Sequence, residues 1–112
     1  MSDWQSAYHK EIEAARAARQ RKNEGQARVC ARRAAGVVIR EYYRQRGQPI
    51  RASSAYELLK MLTEDLSQPA AVRQSAAALT LRVNEAFNLP VATDLVKEAE
   101  SIAAALSASR QV

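Results

Sequence analysis

The sequence has little of what interrupts or cross-links a chain: its 112 residues include one cysteine, three glycines and three prolines. A single cysteine, Cys30, excludes an internal disulfide, and no metal cluster can be assembled around it, so we expect neither a metal site nor a cofactor. Aromatic residues are only 5% of the chain, whereas alanine, the best helix former, is abundant. These features favour an all-α protein with a single domain over residues 1–112.

Long hydrophobic runs are also absent. The longest run, Ala34–Ile39, is far shorter than the roughly 20 apolar residues that a membrane-spanning helix needs. The first ten residues are polar and lack the apolar core of a signal peptide. We therefore expect a soluble, cytoplasmic protein without a membrane partner.

Acidic residues are scarce in the first half of the chain. Residues 1–51 hold 12 Lys/Arg against 5 Asp/Glu, whereas residues 52–112 hold 5 against 7, and the net charge is +5. Thirteen of the 17 basic residues are arginine, whose planar guanidinium suits bidentate contacts with phosphates or carboxylates. An excess of basic residues in one half of the chain is typical of proteins with an anionic partner, although solubility alone also accounts for it.

Apolar residues recur at spacings of three and four in five segments, which predicts five amphipathic helices. Short connections between such helices predict an up-and-down bundle of four to five helices. The fourth pattern continues through Phe87. We expect helices over about 3–22 and 24–46 and further helices that begin near Ser54, Ser67 and Thr93.

Caps and turns support these boundaries. Asn23–Gly25 is a plausible left-handed break after the first helix, and Gly47 is a natural residue just past the end of the second. Ser54 and Glu57 have the spacing of a capping box.

The centre of the second helix is rich in small residues. Gly36 costs about 1 kcal/mol of helix propensity relative to alanine, and a close helix crossing would offset that cost. We expect a homodimer with Ala31, Ala35 and Gly36 at or near its interface. The alternative is that the fifth helix covers this surface within one chain.

Four arginines of the second helix, Arg28, Arg32, Arg40 and Arg44, recur at steps of four with Gly36 in the gap. We call them the arginine stripe. Like charges at this spacing repel one another, and either an anionic partner or acidic residues of neighbouring helices would relieve the repulsion. The stripe is therefore either a solvated or internally paired face or an anion site.

The order of the first three predicted helices has a recognisable pattern. An alanine-rich helix that bears a tryptophan is followed by a glycine turn, a long alanine-rich helix and the short helix "SSAYELLKML" with paired leucines. The other positions of the pattern are Trp4, Ala14, Ala15, Ala18, Gly25, Ala27, Cys30, Ala34 and Ala35. In this order, residues 4 to about 87 resemble the HEPN domain family of helical bundles.

The resemblance implies a bundle that is commonly dimeric and that accompanies a nucleotidyltransferase or binds a nucleotide or RNA. In the ribonuclease members, an arginine is followed four to six residues later by a histidine. Arg82 matches the arginine of this element, but no histidine follows it, and the only histidine, His9, lies in the first helix. We therefore expect no enzymatic activity.

Two functions remain. The first is a non-catalytic interaction module, dimeric and HEPN-like, that binds a protein partner. The alternative is an RNA- or nucleotide-binding module that uses the arginines at positions 28, 32, 40, 44 and 82.

Overall fold

Five α-helices build the part of the chain that the computed structural model describes, residues 3–48, 50–52, 54–81 and 94–109, and no strand occurs in these residues. The predicted all-α bundle is confirmed. Consecutive helices pack against each other, and one apolar core draws side chains from all five. The helices are α1 (Trp4–Gln20), α2 (Glu24–Gln45), α3 (Ala55–Glu64), α4 (Ala70–Leu79) and α5 (Leu95–Ser109).

The second helix, α2, is the centre of the bundle. It packs against α1, α3 and α5, so its apolar residues are buried on several sides, as the sequence predicts. Ala34, Ala35 and Ile39 are each 0% exposed, and Val38 is 3% exposed. The alanine content lets these neighbours approach, because an alanine side chain adds little thickness to a helix.

Gly36 permits a close crossing of α2 and α3. A Cβ atom built on Gly36 would lie 3.1 Å from the Cβ of Ala55 and 3.2 Å from its Cα. The glycine therefore serves a contact with α3 inside one chain. Ala31 and Ala35 are also completely buried, so the three small residues predicted at a dimer interface present no free surface in this structure.

The break between α1 and α2 differs in detail from the prediction. Lys22, and not Asn23 or Gly25, adopts the left-handed conformation, with φ of 60°. The Asn23 side chain instead caps α2 by accepting a hydrogen bond from the Gln26 amide at 3.1 Å. Asparagine suits both roles, and here its side-chain oxygen satisfies an otherwise unpaired amide of α2.

Of the other predicted helix ends, two are as predicted and one is not. Ser54 accepts from the Glu57 amide at 3.1 Å and begins α3 as predicted, and Gly47 has φ of 71° just after α2. Ser67 does not cap α4, which begins at Ala70 after Pro69. Thr93 lies outside the described residues.

Asp94 takes the capping role at the start of α5. Its side chain accepts from the amides of Val96 and Lys97 at 3.1 and 3.3 Å. An acidic side chain is well placed here because the amides at a helix N-terminus carry a partial positive charge.

Two tyrosines fasten the end of α2 to the turn between α3 and α4. The Tyr43 hydroxyl donates to the Asp65 carboxylate, and the Tyr42 hydroxyl accepts from the side-chain Nε2 of Gln68 at 2.9 Å. Both rings are buried, so neither is free to stack on a base.

The same turn holds an acidic group with a shifted pKa. Burial alone would raise the pKa of Asp65, but hydrogen bonds from Ser67 and Tyr43 outweigh it and lower that pKa below its usual value. The charged form of Asp65 is therefore favoured by the fold.

Candidate functional site

The arginine stripe does not act as one surface. Arg32 turns toward α4, where its guanidinium donates to the main-chain oxygens of Leu79 and Leu81 at 2.7 and 2.8 Å. Burial, and next the charge of Arg28, lower the pKa of Arg32. Arg32 is thus a structural residue that holds the end of a neighbouring helix.

This contact lies at a helix boundary that the periodicity does not predict. The apolar pattern predicts that α4 continues through Phe87, yet the helix ends at Leu79. The main-chain oxygens of Leu79 and Leu81 accept hydrogen bonds from Arg32. The amides of Thr80 and Leu81 donate to the oxygens of Ala77 and Ala78, three residues earlier in the chain, whereas α-helical bonds span four. Residues 82–93 lie outside the described residues, and the predicted site residue Arg82 is among them.

Arg44 is paired within its own helix. Its Nε and one terminal nitrogen donate to the two carboxylate oxygens of Glu41 at 2.9 and 2.5 Å. The hydrogen bonds with Glu41, and then its charge, raise the pKa of Arg44. Glu41 is 7% exposed, so this bidentate pair compensates a nearly buried carboxylate.

Arg40 and Arg33 form fewer hydrogen bonds with the described residues than Arg32 and Arg44 do. Arg40 is exposed and donates one hydrogen bond, from a terminal nitrogen to the Ala52 oxygen at 3.0 Å. The neighbouring stretch of α2 exposes Arg33, whose guanidinium forms no hydrogen bond or ion pair with any residue that the structure describes. A guanidinium has five N–H donors, so both residues retain capacity for a carboxylate or a phosphate.

These arginines line an open groove of about 560 Å³ on α2, between α1 and α3. No pair of Cα atoms from α1 and α3 lies within 8 Å, so the two helices leave this strip of α2 uncovered. We call this feature the α1–α3 groove. Its α2 floor consists of Arg33, Gly36, Val37, Arg40, Glu41 and Arg44.

The walls of the groove are partly apolar. The α1 wall is formed by Asp3, Trp4, Ala7 and Glu11, and the α3 wall by Ser54, Ala55 and Leu58. Trp4, Ala7, Ala55 and Leu58 supply the apolar part of these walls. The arrangement can accommodate an elongated, partly apolar segment.

The groove carries both signs of charge. Glu41 and Arg44 neutralise each other, which leaves Arg33 and Arg40 on α2 opposite Asp3 and Glu11 on α1. Neither Asp3 nor Glu11 has an ion-pair partner among the residues described. A polyanion would gain from the arginines but meet two carboxylates at the same time.

The structure therefore brings together Arg40, Arg44 and Gly36 of the predicted site residues and separates them from Arg28 and Arg32. The i+4 rule missed Arg33, although Arg33, Val37, Arg40 and Arg44 follow the 4-3-4 spacing of one helical face. That spacing is the signal that would have found it.

The described residues offer few other groups that could form a metal or catalytic site. They contain no group of three or more histidine, cysteine, aspartate or glutamate side chains that could hold a metal ion. Cys30 is buried, and His9 lies edge-on to the Tyr8 ring with 5.2 Å between ring centroids. Among the helices described, none combines the length and apolar character needed to cross a bilayer.

Comparison with models of known families, with characterised proteins and with solved structures found no match to this chain. The HEPN resemblance accordingly stays a prediction, and the groove is the basis for a functional proposal.

Proposed function

We propose that this protein is a non-catalytic interaction module that binds a partner polypeptide in the α1–α3 groove. The observation that carries the proposal is an open groove with partly apolar walls and charges of both signs, arginines on its floor and carboxylates on its α1 wall. Polypeptides present apolar and charged side chains together, whereas a protein surface that binds a nucleic acid is strongly positive.

The alternative is an RNA- or nucleotide-binding module. Arg33 and Arg40 favour it, because both have unused donors that suit phosphate oxygens. Asp3 and Glu11 at the same groove oppose it, as does the commitment of Arg32 and Arg44 to other partners.

Binding measurements separate the two functions. We expect labelled single-stranded RNA, structured RNA and ATP to bind weakly and to remain uncleaved. Tight RNA binding that weakens steeply with salt would favour the alternative, because such dependence reports the release of counterions from phosphates. RNA cleavage by the purified protein would contradict the non-catalytic proposal.

The main test is affinity capture from a lysate of the source organism, with captured polypeptides identified by mass spectrometry. Val37→Glu places a charge on the groove floor. Arg21→Glu changes an exposed residue outside the groove as a control. We expect one polypeptide to be captured by the unmodified protein and by the control but lost with Val37→Glu, after circular dichroism has shown that both variants fold. If every captured polypeptide is retained by Val37→Glu, the groove is not the binding site.

The homodimer remains part of the proposal, and the HEPN resemblance is what supports it. Because the small residues of α2 are buried in the single chain, a dimer must use another surface. Sedimentation equilibrium at micromolar concentration gives the result directly: the chain mass is 12.4 kDa, and we expect about twice that mass. A mass near that of one chain would reject the dimer.

A further inference from the structure

The exposed band of α2 in the groove has the spacing of a coiled-coil face. Arg33, Val37, Arg40 and Arg44 lie at intervals of four, three and four residues, so all fall within a narrow angular sector of the helix. From Arg33 to Arg44 the band rises about 16 Å, or three helical turns. A partner segment that follows the band over this length would contact it with three turns of helix.

The packing around α2 indicates that a helix is the shape that fits. α1 and α3 each contact α2 but not one another, and Val37 of α2 and Ala7 of α1 line the strip between them. Helices pack with their axes about 8–10 Å apart, and the long arginine side chains of the band favour the longer distances. A helix laid on this strip would touch α1, α2 and α3 together.

The charges specify what such a helix must carry. Arg33 and Arg40 are seven residues apart and so about 10.5 Å apart along the axis, and both have unused donors. Two carboxylates at positions i and i+7 of a helix aligned with α2 have the same separation. Asp3 and Glu11 on the opposite wall disfavour acidic residues there and favour basic ones.

From these features we propose that the partner segment in the α1–α3 groove is an amphipathic α-helix with an apolar stripe and two carboxylates seven residues apart, which pair with Arg33 and Arg40. The inference rests on the proposed function, because it names the class of polypeptide that the same groove binds.

Charge exchange with synthetic peptides tests the inference. Peptide E is a synthetic helix of three coiled-coil heptads, about 21 residues. Leucines form one stripe along the helix, and each heptad carries one glutamate beside that stripe. Peptide K is identical except that lysine replaces each of those glutamates. Binding to the full-length protein is followed by fluorescence anisotropy at low salt.

We expect the unmodified protein to bind peptide E about tenfold more tightly than peptide K. In the double variant Arg33→Glu/Arg40→Glu, the preference should reverse in favour of peptide K. Arg33→Glu alone, which breaks no hydrogen bond of the described fold, should reduce the preference without altering the circular dichroism spectrum. Arg21→Glu should keep the preference of the unmodified protein.

The inference fails if neither peptide binds, or if the preference for peptide E survives in the double variant, since the attraction would then be a general effect of net charge. It also fails if the protein is a dimer that dissociates in the double variant, because a second copy would then occupy the groove. If capture from the lysate still identifies a polypeptide that depends on Val37 while neither peptide binds, the proposed function stands and only the helical partner is rejected.

Discussion

Replacing Arg32 with alanine should destabilise the protein although Arg32 belongs to a row of apparently similar arginines. Its guanidinium bonds the main-chain oxygens of Leu79 and Leu81, 47 and 49 residues away in the sequence. These bonds attach the end of α4 to α2. Alanine at this position would leave both oxygens without their charged donor.

The magnitude follows from the two hydrogen bonds. A hydrogen bond to a charged group contributes about 1.5–3 kcal/mol, so the pair has an upper limit of about 6 kcal/mol. Arg32 is only partly buried, and water would reach the freed oxygens and replace part of the loss. We expect the free energy of unfolding to fall by about 2–3 kcal/mol, which corresponds to a decrease in Tm of roughly 8–12 °C for a chain of this size.

Arg33→Ala provides a matched control, because it removes the same side chain from the next residue of the same helix. Arg33 is exposed and unpaired in the described structure, so its loss should change the free energy of unfolding by less than about 0.5 kcal/mol. Urea denaturation followed by circular dichroism measures both variants. Equal stability of the two variants would refute the structural role of Arg32 and return it to the candidate binding residues.

Three further changes probe the fold. Gly36→Leu should lower the free energy of unfolding by about 2–3 kcal/mol in urea denaturation, because its Cβ meets Ala55; an unchanged midpoint would show that α3 does not pack there. Lys22→Gly should raise Tm by a few degrees, since a lysine at φ of 60° costs about 1 kcal/mol relative to glycine; a lower Tm would contradict this conformation. The lowered pKa of Asp65 gives stability that is present above about pH 4 and lost as the pH falls through the folded pKa. The stability difference between the unmodified protein and Asp65→Asn should therefore shrink as the pH is lowered from 6 to below about 4 and toward the folded pKa, and a constant difference would contradict the shift.

The helices were predictable because their signals are local. Spacings of three and four identify each buried face, and Ser54 and Gly47 mark ends by the chemistry of one or two residues. The end of α4 was not predictable from its own sequence, since the apolar period continues past Leu79. The oxygens of Leu79 and Leu81 at this end accept from Arg32, which lies far away in the chain.

The groove was only partly predictable for a related reason. The cost of Gly36 correctly indicated a close crossing, but nothing near Gly36 tells whether the crossing helix comes from the same chain or from a second copy. The structure places Ala55 of α3 against it. Which arginines remain open to a partner likewise depends on contacts with distant carbonyls and carboxylates, and these are set by tertiary packing.

The basic composition of the chain is a poor measure of its anion-binding surface. Among the described residues, Arg32 and Arg73 donate to main-chain oxygens at the C-terminal ends of α4 and α3, the latter to the Thr63 oxygen at 2.9 Å, and Arg40 donates to the Ala52 oxygen in the segment before α3. In a chain with three glycines, guanidinium groups thus satisfy some of the carbonyls that glycine-based caps would otherwise serve.

Other arginines of the chain form ion pairs with carboxylates within the fold. Arg16 pairs with Glu13 and Glu100, and Arg19 with Glu24 and Asp94, so the basic end of α1 is joined to α2 and to the start of α5. These arginines hold helices together and are already engaged with carboxylates. The α1–α3 groove is different because, among the described residues, Arg33 has no hydrogen-bond or ion-pair partner and Arg40 donates one hydrogen bond. A substitution that reverses the charge at Arg33 should therefore affect binding and leave the fold intact, whereas the same substitution at Arg19 should affect the fold first.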